Sequence, residues 1–416
     1  MRMKLNKTSQ LLLVALASIL VAGFMTACAT LTVDFVFVAS SKAAGTNNYG
    51  ELDIFEVNSE SGHMRQIPAS PVPSQGRLPV AEAVSSDAGS LFVANQDDNN
   101  IVQFVIGSDG KLYPFNTVNT PGVFPLGLAA SASNLFVVDT YQPLPTCSTA
   151  APCSGSVGVF PLTAASGSTP VAIGSPAVNG GISSNYWPLT VAGKPNDVIA
   201  PTAIAVLASG TEVYVTAYDT SVSPTVGYIF GFSVGSGGVL TAVTGSPFAA
   251  GIRPSALASD KSGTYLYATD YAGNDVLAYT IASGVLTPLA GSPFKAGTNP
   301  SAIVVDQKYS FAYVANATDS TITAYSMNSG VLTRLGNTST GGLSYATGLE
   351  PVALGIDPST SHFLYSVNFL GNTVSGFELS ATDGTLLDTQ NSPFPTNGLP
   401  TAVAAIPHAG TGAGVP

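Results

Sequence analysis

Side chains that could perform acid–base or metal chemistry are scarce in this chain of 416 residues. Only 9% of its residues are charged, and its three histidines, His63, His362 and His408, lie far apart in the sequence. Acidic residues outnumber basic ones by 24 to 13, and no basic run occurs. We therefore expect no nucleic-acid partner, no metal and no cofactor, because the chain has neither a basic patch nor a ligand-like spacing.

Glu82 is the carboxylate that stands out by its position. It follows Pro79 by three residues. The equivalent position in six related segments is apolar: Leu128, Ile204, Leu257, Ile303, Leu354 and Val403. A charge in such surroundings is costly unless it is paired or reaches water. We expect either a catalytic acid with a raised pKa, acting with Arg77 or Arg253, or a structural glutamate that is paired with Arg77 or binds backbone amides of a neighbouring segment.

A second group of candidates precedes six recurring prolines by one to four residues. It comprises Arg77, Phe124, Asp197, Arg253, Asn299 and Glu350. If the related segments are arranged in a circle, these residues gather at one mouth of it. Arg253 and Glu350 could then recognise a polar ligand such as a sugar or a carboxylate, with Phe124 and Asn299 as further binding residues. The alternative is a solvated rim without a ligand.

Cys147 and Cys153 lie close together in a polar segment that contains no histidine. In an exported protein, such a pair predicts a disulfide rather than a metal site. The same part of the chain holds two long insertions, residues 140–156 and 174–201. Long loops in a compact fold are usually functional or disordered, and a disulfide argues against disorder.

Aromatic residues in these insertions are the remaining binding candidates: Tyr141, Tyr186 and Trp187. Tyr and Trp anchor many interfaces and sugar-binding surfaces, because they combine a large apolar area with a polar tip. We expect the two insertions to share one face of the molecule and to present these rings to a ligand. The alternative for Trp187 is that its ring packs the loop onto the body of the protein.

The strands that must position these residues are predicted by a short sequence motif, the repeated phrase, which recurs seven times. Its clearest copies are Thr264-Tyr-Leu-Tyr-Ala-Thr-Asp270, Phe311-Ala-Tyr-Val-Ala-Asn316 and His362-Phe-Leu-Tyr-Ser-Val-Asn368. The aromatic anchors of the seven copies are Phe37, Phe92, Phe136, Tyr214, Tyr267, Tyr313 and Tyr365. They are 44 to 55 residues apart, except for one interval of 78 that contains both insertions. This period, with alternating apolar residues and glycine-bearing turns, predicts an all-β propeller of seven four-stranded blades.

The two ends of the chain complement each other. Residues 400–406 match an inner strand with no second strand after it, whereas the first strand, residues 33–39, has no inner strand before it. One C-terminal strand joining three N-terminal strands would complete a mixed blade and close the ring. We therefore assign residues 33–406 to one propeller domain and residues 407–416 to a flexible tail.

Residues 1–27 have the features of a signal peptide. Arg2, Lys4 and Lys7 precede an apolar run at residues 11–24, which is too short to span a membrane. Met25-Thr-Ala-Cys28 resembles a lipobox, which predicts lipidation of Cys28 and a short tether at residues 28–32. The alternative is plain cleavage at Ala27-Cys-Ala29. We expect a periplasmic, outer-membrane or cell-surface lipoprotein that is attached to the membrane through the lipid alone.

The repeat and its turns resemble those of a known family. The phrase Tyr313-Val-Ala-Asn316, strand ends such as Gly291-Ser-Pro-Phe294 and the Gly-x-x-Pro loops are similar to those of the seven-bladed lactonase-like propellers, over residues 33–406. This family includes 6-phosphogluconolactonase-type enzymes and the YVTN surface propellers. The resemblance implies catalysis by His, Arg and Glu on channel-facing loops, with a Pro-Arg-His signature at an inner strand. Here the two residues after each matching proline are neither Arg nor His.

These features favour a binding protein over an enzyme. We expect an exported, lipid-anchored monomer that binds a glycan, a peptide or an envelope protein. The alternative is lactone hydrolysis by channel-facing Glu and Arg residues, which requires Glu82 and an arginine to converge in an open channel. A third hypothesis is a structural surface-layer component, which requires self-association.

Overall fold

A computed structural model describes residues 32–408 except 168, 338–339 and 359. The predicted signal peptide, Cys28 and the tail beyond residue 408 lie outside the described residues. Within the described part of the chain, no helix is long and apolar enough to cross a membrane. The one helical element among these residues is a 3-10 turn at Ser236–Gly238, so the predicted all-β class is confirmed.

Seven antiparallel sheets form the blades, and blade 1 is the sheet that contains the first strand. In the order of blades 1 to 7, the inner strands are Pro400–Pro407, Pro79–Val84, Val123–Ala130, Ile199–Val206, Pro254–Ser259, Pro300–Val305 and Pro351–Ile356. Each inner strand contacts the inner strands of both neighbouring blades, and that of blade 7 contacts that of blade 1. The ring is therefore closed around a central channel.

The second and third strands form the middle of each blade. Their residues are buried on both faces because neighbouring blades cover both sides of the sheet. The second strands are Thr32–Ala44, Ser90–Asn95, Asn134–Tyr141, Glu212–Asp219, Tyr265–Asp270, Phe311–Asn316 and Phe363–Asn368. The third strands are Tyr49–Asn58, Asn100–Ile106, Ser156–Thr163, Val226–Val234, Asp275–Ala282, Thr321–Asn328 and Thr373–Leu379.

The outer strand is short in six blades and has eight residues in blade 2. The outer strands are Met64–Gln66, Leu112–Asn119, Ala172–Ile173, Leu240–Ala242, Val285–Pro288, Val331–Arg334 and Leu386–Asp388. In six blades a second short piece also pairs with the third strand. These pieces are Val72–Pro73, Trp187–Pro188, Phe248–Ala249, Phe294–Lys295, Tyr345–Ala346 and Phe394–Pro395.

Blade 1 is built from both ends of the described chain. Its inner strand, Pro400–Pro407, pairs antiparallel with Thr32–Ala44, and the other strands of this blade come from the N-terminal part. The predicted closure by one C-terminal and three N-terminal strands is confirmed. Because this seam joins residues at least 360 positions apart, the ring can close only after Pro400–Pro407 has been made.

The core lies between blades, and the seven predicted aromatic anchors are all fully buried there. Three tyrosine anchors also bond across blades, because each buried hydroxyl needs a partner. Each donates to a glycine carbonyl in a hairpin turn of the next blade: Tyr214 to Gly284 at 2.9 Å, Tyr267 to Gly330 at 3.0 Å and Tyr313 to Gly384 at 3.1 Å. The repeated phrase thus supplies both packing and a polar link between neighbouring blades.

Candidate functional site

The loops that precede the inner-strand prolines open on one end of the channel. We call these segments the lead-in loops and the opening that they surround the lead-in mouth. In blades 3, 5 and 6, an Asn or Asp at or near the end of the second strand accepts a backbone amide of the lead-in loop. The Gly297 amide donates to Asn316 Oδ1 at 2.9 Å, and the Gly122 amide donates to Asp139 Oδ2 at 3.0 Å. A Cβ on Gly297 would lie 2.6 Å from the Asn316 side chain, so the close approach requires the glycine of Gly-x-x-Pro.

The lead-in loops are also tied to the preceding blade. Asn residues in the turns after the second strands accept backbone amides from the next lead-in loop. The bonds are Phe124 N to Asn99 Oδ1 at 2.6 Å, Asn299 N to Asn274 Oδ1 at 2.8 Å and Leu399 N to Asn372 Oδ1 at 2.7 Å. The rim is therefore preorganised rather than a set of loose loops.

Arg253, in the lead-in loop of blade 5, carries an exposed and unpaired cation. Its guanidinium carbon lies 5.3 Å from the centroid of the Tyr218 ring and 5.0 Å from that of Tyr271. No carboxylate among the described residues lies within ion-pair distance of it. Asp270 Oδ1 accepts its backbone amide at 2.9 Å, which fixes the loop. A guanidinium held between two aromatic faces keeps its donors free for an anion.

Two carboxylates lie behind this loop in blade 5. Asp270 and Asp275 face each other across the second and third strands. Burial, together with the charge of Asp270, raises the pKa of Asp275 to about 6. Asp270 stabilises the lead-in loop, because it also accepts the Ile252 amide at 2.7 Å.

Arg77 is occupied. Its Nε donates to Asp98 Oδ1 at 2.7 Å, and its backbone amide donates to Asp98 Oδ2 at 2.7 Å. Its guanidinium also binds the Asp97 carbonyl at 3.2 Å. This bidentate arrangement makes Arg77 a clamp within its own blade rather than a free ligand-binding group.

Glu82 lies in the inner strand of blade 2, opposite Ala404 of blade 1. Both carboxylate oxygens are buried, and no side chain among the described residues pairs with them; the backbone of Ala404 is the polar group that approaches them. Burial raises the pKa of Glu82 well above its ordinary value; the backbone of Ala404 partly offsets this rise and the charge of Asp53 adds to it. The expected pairing with Arg77 is absent, since Arg77 binds Asp98. The structure does not bring Glu82 and either arginine together at the mouth.

Four further predicted residues lie on the rim. Phe124 and Tyr141 stack edge to face, with ring centroids 6.0 Å apart. The Asn299 side chain is used within the fold, because it donates to the Tyr271 carbonyl at 2.9 Å and accepts from Thr318 at 2.7 Å. The Glu350 carboxylate has no hydrogen bond or ion pair among the described residues. Phe124, Asn299 and Glu350 have positive φ angles, between 53° and 58°, a conformation that bulky residues adopt only when the surroundings impose it.

The two insertions meet, and the predicted disulfide is present. Cys147 and Cys153 are bonded, with their Cα atoms 5.4 Å apart. Ser154 Oγ donates to the Asp197 carbonyl at 3.1 Å and accepts the Ile199 amide at 3.0 Å. The base of the first insertion is thereby joined to the end of the second.

Trp187 does not reach the surface. It is 6% exposed and packs in the core between blades 3 and 4. Its indole Nε1 donates to the Leu240 carbonyl of blade 4 at 2.9 Å. Tyr186 is half-buried beside it. The position of Trp187 corresponds to the alternative of a ring that packs the loop onto the body, and it corrects the expectation of an exposed binding ring.

The three histidines contribute nothing to the lead-in mouth. His63 Nδ1 lies 3.1 Å from the Gln390 carbonyl, His362 Nε2 lies 3.2 Å from Glu378, and the His408 ring lies 5.3 Å from Phe35. All three therefore lie outside the mouth, and no imidazole among the described residues can act there as a base.

Sequence reasoning missed the two tyrosines around Arg253. Tyr218 precedes Asp219 and Tyr271 follows Asp270, so both flank the last residue of the repeated phrase. It also missed three hydroxyls that follow the inner-strand prolines. Each donates to the proline carbonyl of the next blade: Ser255 to Pro300 at 2.6 Å, Ser301 to Pro351 at 2.6 Å and Thr401 to Pro79 at 2.8 Å. These hydroxyl residues directly follow the inner-strand prolines, where the Pro-Arg-His signature of the resemblance would have Arg. In this protein they link neighbouring blades.

Comparison with known proteins supports the same architecture. Residues 285–404 match the family model of the lactonases described as a 7-bladed beta-propeller. Among curated proteins, none matches this chain.

Solved structures with this fold cover nearly the whole molecule. A Bacteroides fragilis protein described as a candidate 6-phosphogluconolactonase has 17% identity and a TM-score of 0.69, over 91% of this chain and 99% of its own. The periplasmic gluconolactonase of Pseudomonas aeruginosa has 16% identity and a TM-score of 0.67, over 90% and 99%. These similarities confirm the predicted fold and resemblance: the chain is a seven-bladed β-propeller, and its residues 285–404 resemble the lactonase family.

Proposed function

We propose that this propeller binds an anionic ligand at the lead-in mouth and does not transform it. The observation that carries the proposal is Arg253, whose cation is unpaired and held between Tyr218 and Tyr271. A carboxylate that approaches the mouth would accept its guanidinium donors, and the two phenol rings would contact the ligand on either side.

Two observations favour binding over catalysis. Lactone hydrolysis needs a base that activates water and donors that stabilise the carbonyl oxygen. The oxygens of Glu82 are buried and form no ion pair with Arg77 or Arg253, and the Ser255, Ser301 and Thr401 hydroxyls bind proline carbonyls. Arg253 alone can hold an anion but cannot move a proton.

The proposed setting is the cell envelope. The signal-like N-terminus and Cys28 support export and lipid attachment, and the Cys147–Cys153 disulfide is compatible with an oxidising compartment. The partner is accordingly a glycan, a peptide or an envelope protein that offers a carboxylate. Replacement of Cys28 by Ser should move the protein from the membrane fraction to the soluble fraction of cells; an unchanged distribution contradicts the lipid anchor.

Thermal unfolding of the purified propeller with glucuronate and with glucose tests the binding proposal. These two sugars differ by a carboxylate, and a ligand that binds only the folded state must raise the midpoint. We expect glucuronate, but not glucose, to raise it, and we expect Arg253→Gln to abolish the shift. Arg65→Gln is the matched control, because Arg65 is an exposed arginine paired with Glu56 on the outer strand of blade 1. A shift that survives Arg253→Gln contradicts the proposed site.

Lactone hydrolysis is the second candidate, supported by the family match at residues 285–404 and by the names of the similar structures. Its test is hydrolysis of glucono-δ-lactone above the spontaneous rate. Activity that is lost in both Glu82→Gln and Arg253→Gln would favour the enzyme. Equal rates with and without the protein would remove this candidate.

A further inference from the structure

The channel has a second opening, which is surrounded by the ends of the inner strands and which we call the exit mouth. It holds a cavity of about 540 Å³ that is lined by residues of blades 3 to 7. The lining begins outside the strands, at Gln307 and Ser361, and reaches inward to Leu257 and Ile303, the fourth residues of the inner strands of blades 5 and 6. One continuous space therefore joins five blades, and its size is typical of small-molecule sites, which span about 300–1,000 Å³.

The wall of this cavity is apolar. Each of the five blades contributes hydrocarbon to it, and the contributing residues include Ala129, Val206, Leu257, Val304 and Ile356. All five are half-buried rather than sealed in the core between blades. A ligand that covers this concave surface removes apolar area from water on both partners, which is favourable.

Polar side chains lie at the outer edge of the cavity, where the inner strands end. Gln307 Nε2 donates to the Ser259 carbonyl of blade 5 at 3.3 Å and to the Val305 carbonyl at 3.0 Å. These two bonds hold the Gln307 side chain across the junction of blades 5 and 6. Its Oε1 accepts no hydrogen bond among the described residues, so it is available to a donor at the rim. The cavity is thus apolar inside and polar at its edge.

No cation balances a negative charge in this cavity. Among the described residues that line it, none is a lysine or an arginine, and the charged one is Asp357. Asp357 is fully buried, and its carboxylate accepts the Thr360 amide at 3.0 Å and the His362 amide at 3.2 Å. An anionic ligand would lose its hydration beside a carboxylate and gain no counter-charge, which is costly. The cavity therefore fits an uncharged ligand.

We propose that the exit mouth binds an uncharged single-chain amphiphile, a hydrocarbon chain that ends in a hydroxyl group. The chain lies along the apolar wall, and the hydroxyl remains at the rim, where Gln307 Oε1 can accept its proton. This site goes beyond the proposed function, because Arg253 lies at the opposite end of the channel and the two ligands differ in charge.

The proposed lipid anchor would bring such ligands within reach. Asp34 pairs with Pro407, the last residue of the inner strand of blade 1, so the strand Thr32–Ala44 begins on the face of the exit mouth. Cys28 precedes Thr32 by four residues, and a lipid there would hold this face toward the membrane. The source of the ligand rests on the proposed anchor, whereas the binding itself does not.

Isothermal titration with 1-octanol, 1-hexanol and octanoate tests the chemical class. The titrations use the Arg253→Gln variant, so that an anion site at the lead-in mouth does not contribute. We expect 1-octanol to bind at least about tenfold more tightly than octanoate, because the carboxylate gains no counter-charge in the cavity. It should also bind at least about tenfold more tightly than 1-hexanol, which has two CH₂ groups fewer. The parent protein should bind 1-octanol with the same affinity as Arg253→Gln.

A Val304→Asn variant tests the position of the chain. It places a polar group in the wall and should weaken 1-octanol binding at least about tenfold, since that group must be desolvated when the chain binds. Val331→Asn is the matched control, because Val331 is 40% exposed on the outer strand of the same blade, and it should leave the affinity unchanged. Crystals of the parent protein soaked in 8-bromo-1-octanol locate the ligand without any substitution, through the anomalous signal of bromine in the cavity.

Several outcomes overturn this inference and leave anion binding at Arg253 intact. They are absence of 1-octanol binding, equal affinities for 1-octanol and octanoate, unchanged affinity in Val304→Asn, and a bromine position outside the exit mouth. Weaker 1-octanol binding by Arg253→Gln than by the parent protein would move the site to the lead-in mouth and overturn it as well. A failure of glucuronate to bind, with 1-octanol binding retained, overturns the proposed function alone.

Discussion

Asn316 shows what a single residue of the repeated phrase does. It is fully buried, and its Nδ2 donates to Thr321 Oγ1 at 3.1 Å and to Thr323 Oγ1 at 3.0 Å. Its Oδ1 accepts the Gly297 amide of the lead-in loop at 2.9 Å. One amide side chain thus joins the second strand, the third strand and the rim, which explains why an Asn or Asp ends the phrase.

Replacement of Asn316 by Ala should destabilise the propeller. The change leaves the partly buried Gly297 amide without its acceptor and two hydroxyls without their donor. Each unpaired buried group costs about 1–3 kcal/mol, and we expect a loss of roughly 3 kcal/mol. Urea unfolding followed by tryptophan fluorescence measures it. Asn328→Ala, at an exposed strand end, is the control and should change little; equal effects of the two changes contradict this role.

Glu82 should make stability dependent on pH. Its folded pKa is raised above the ordinary value of 4.5, so the folded state holds a proton that the unfolded state loses first. Stability therefore falls as the pH rises above about 4.5 toward the folded pKa. Glu82→Gln cannot ionise and should equal the parent at pH 4. It should be more stable than the parent at pH 8.

Urea unfolding of parent and variant across this pH range gives the comparison. Glu350→Gln, at the rim, is the control and should leave the pH dependence of the parent unchanged. A Glu82→Gln variant with the same pH dependence as the parent would mean that Glu82 is ionised in the folded protein.

At the scale of the element, the Gly-Ser-Pro-Phe motif explains how an outer strand ends. At the point where the outer strand ends, a backbone amide of the third strand has no carbonyl opposite it. The serine of the motif accepts a hydrogen bond from that amide instead. The bonds are Ala278 N to Ser292 Oγ at 2.9 Å, Gly231 N to Ser246 Oγ at 3.0 Å and, in blade 7, where Asn391 replaces the glycine of the motif, Gly376 N to Ser392 Oγ at 3.0 Å. The following Phe294 then packs into the core between blades.

Ser292→Ala should therefore cost about 1–3 kcal/mol, the penalty for an unpaired buried amide. Hydrogen exchange provides a local readout, because the Ala278 amide should exchange faster in the variant than in the parent. The control is Ser236→Ala, at an exposed serine in the 3-10 turn, which should leave the exchange of Ala278 unchanged. Unaltered protection of Ala278 in Ser292→Ala contradicts the proposed bond.

At the scale of the whole molecule, the seam of blade 1 holds the ring. Ile406 of the C-terminal strand is fully buried in the core that contains Phe37 and Leu91. Loss of this strand would expose that core and leave the edge of Thr32–Ala44 open to other chains. The stability of the ring therefore depends on contacts between its two ends.

A chain that ends before Pro400 should lose cooperative unfolding and self-associate. A chain that ends after His408 is the control and should keep the oligomeric state and the thermal midpoint of the parent. Size-exclusion chromatography and near-UV circular dichroism distinguish the two. A truncated chain without Pro400–Pro407 that still unfolds cooperatively as a monomer would mean that the other six blades are sufficient.

Much of the architecture could be predicted from local patterns. The four-stranded blade that the repeat predicts is seen in blade 5, whose strands lie at Pro254–Ser259, Tyr265–Asp270, Asp275–Ala282 and Val285–Pro288. Alternation, turn glycines and the recurring aromatic anchor depend on neighbours within a few residues. The same pattern occurs in each of the seven repeats, so the number of blades can be counted. The unpaired strands at residues 33–39 and 400–406 indicate the seam.

The tertiary structure determines which side chains of the candidate site are free to bind a ligand. The sequence identified Arg77 and Arg253 as equivalent rim arginines, but Asp98 occupies the first and two tyrosines frame the second. Likewise, only the packing between blades buries Trp187 and the carboxylate of Glu82. The sequence by itself determined strands, turns, blade number and closure, because these follow from short-range periodicity. The availability of a side chain for a ligand depends on partners that come from other blades, and only the closed ring brings those partners together.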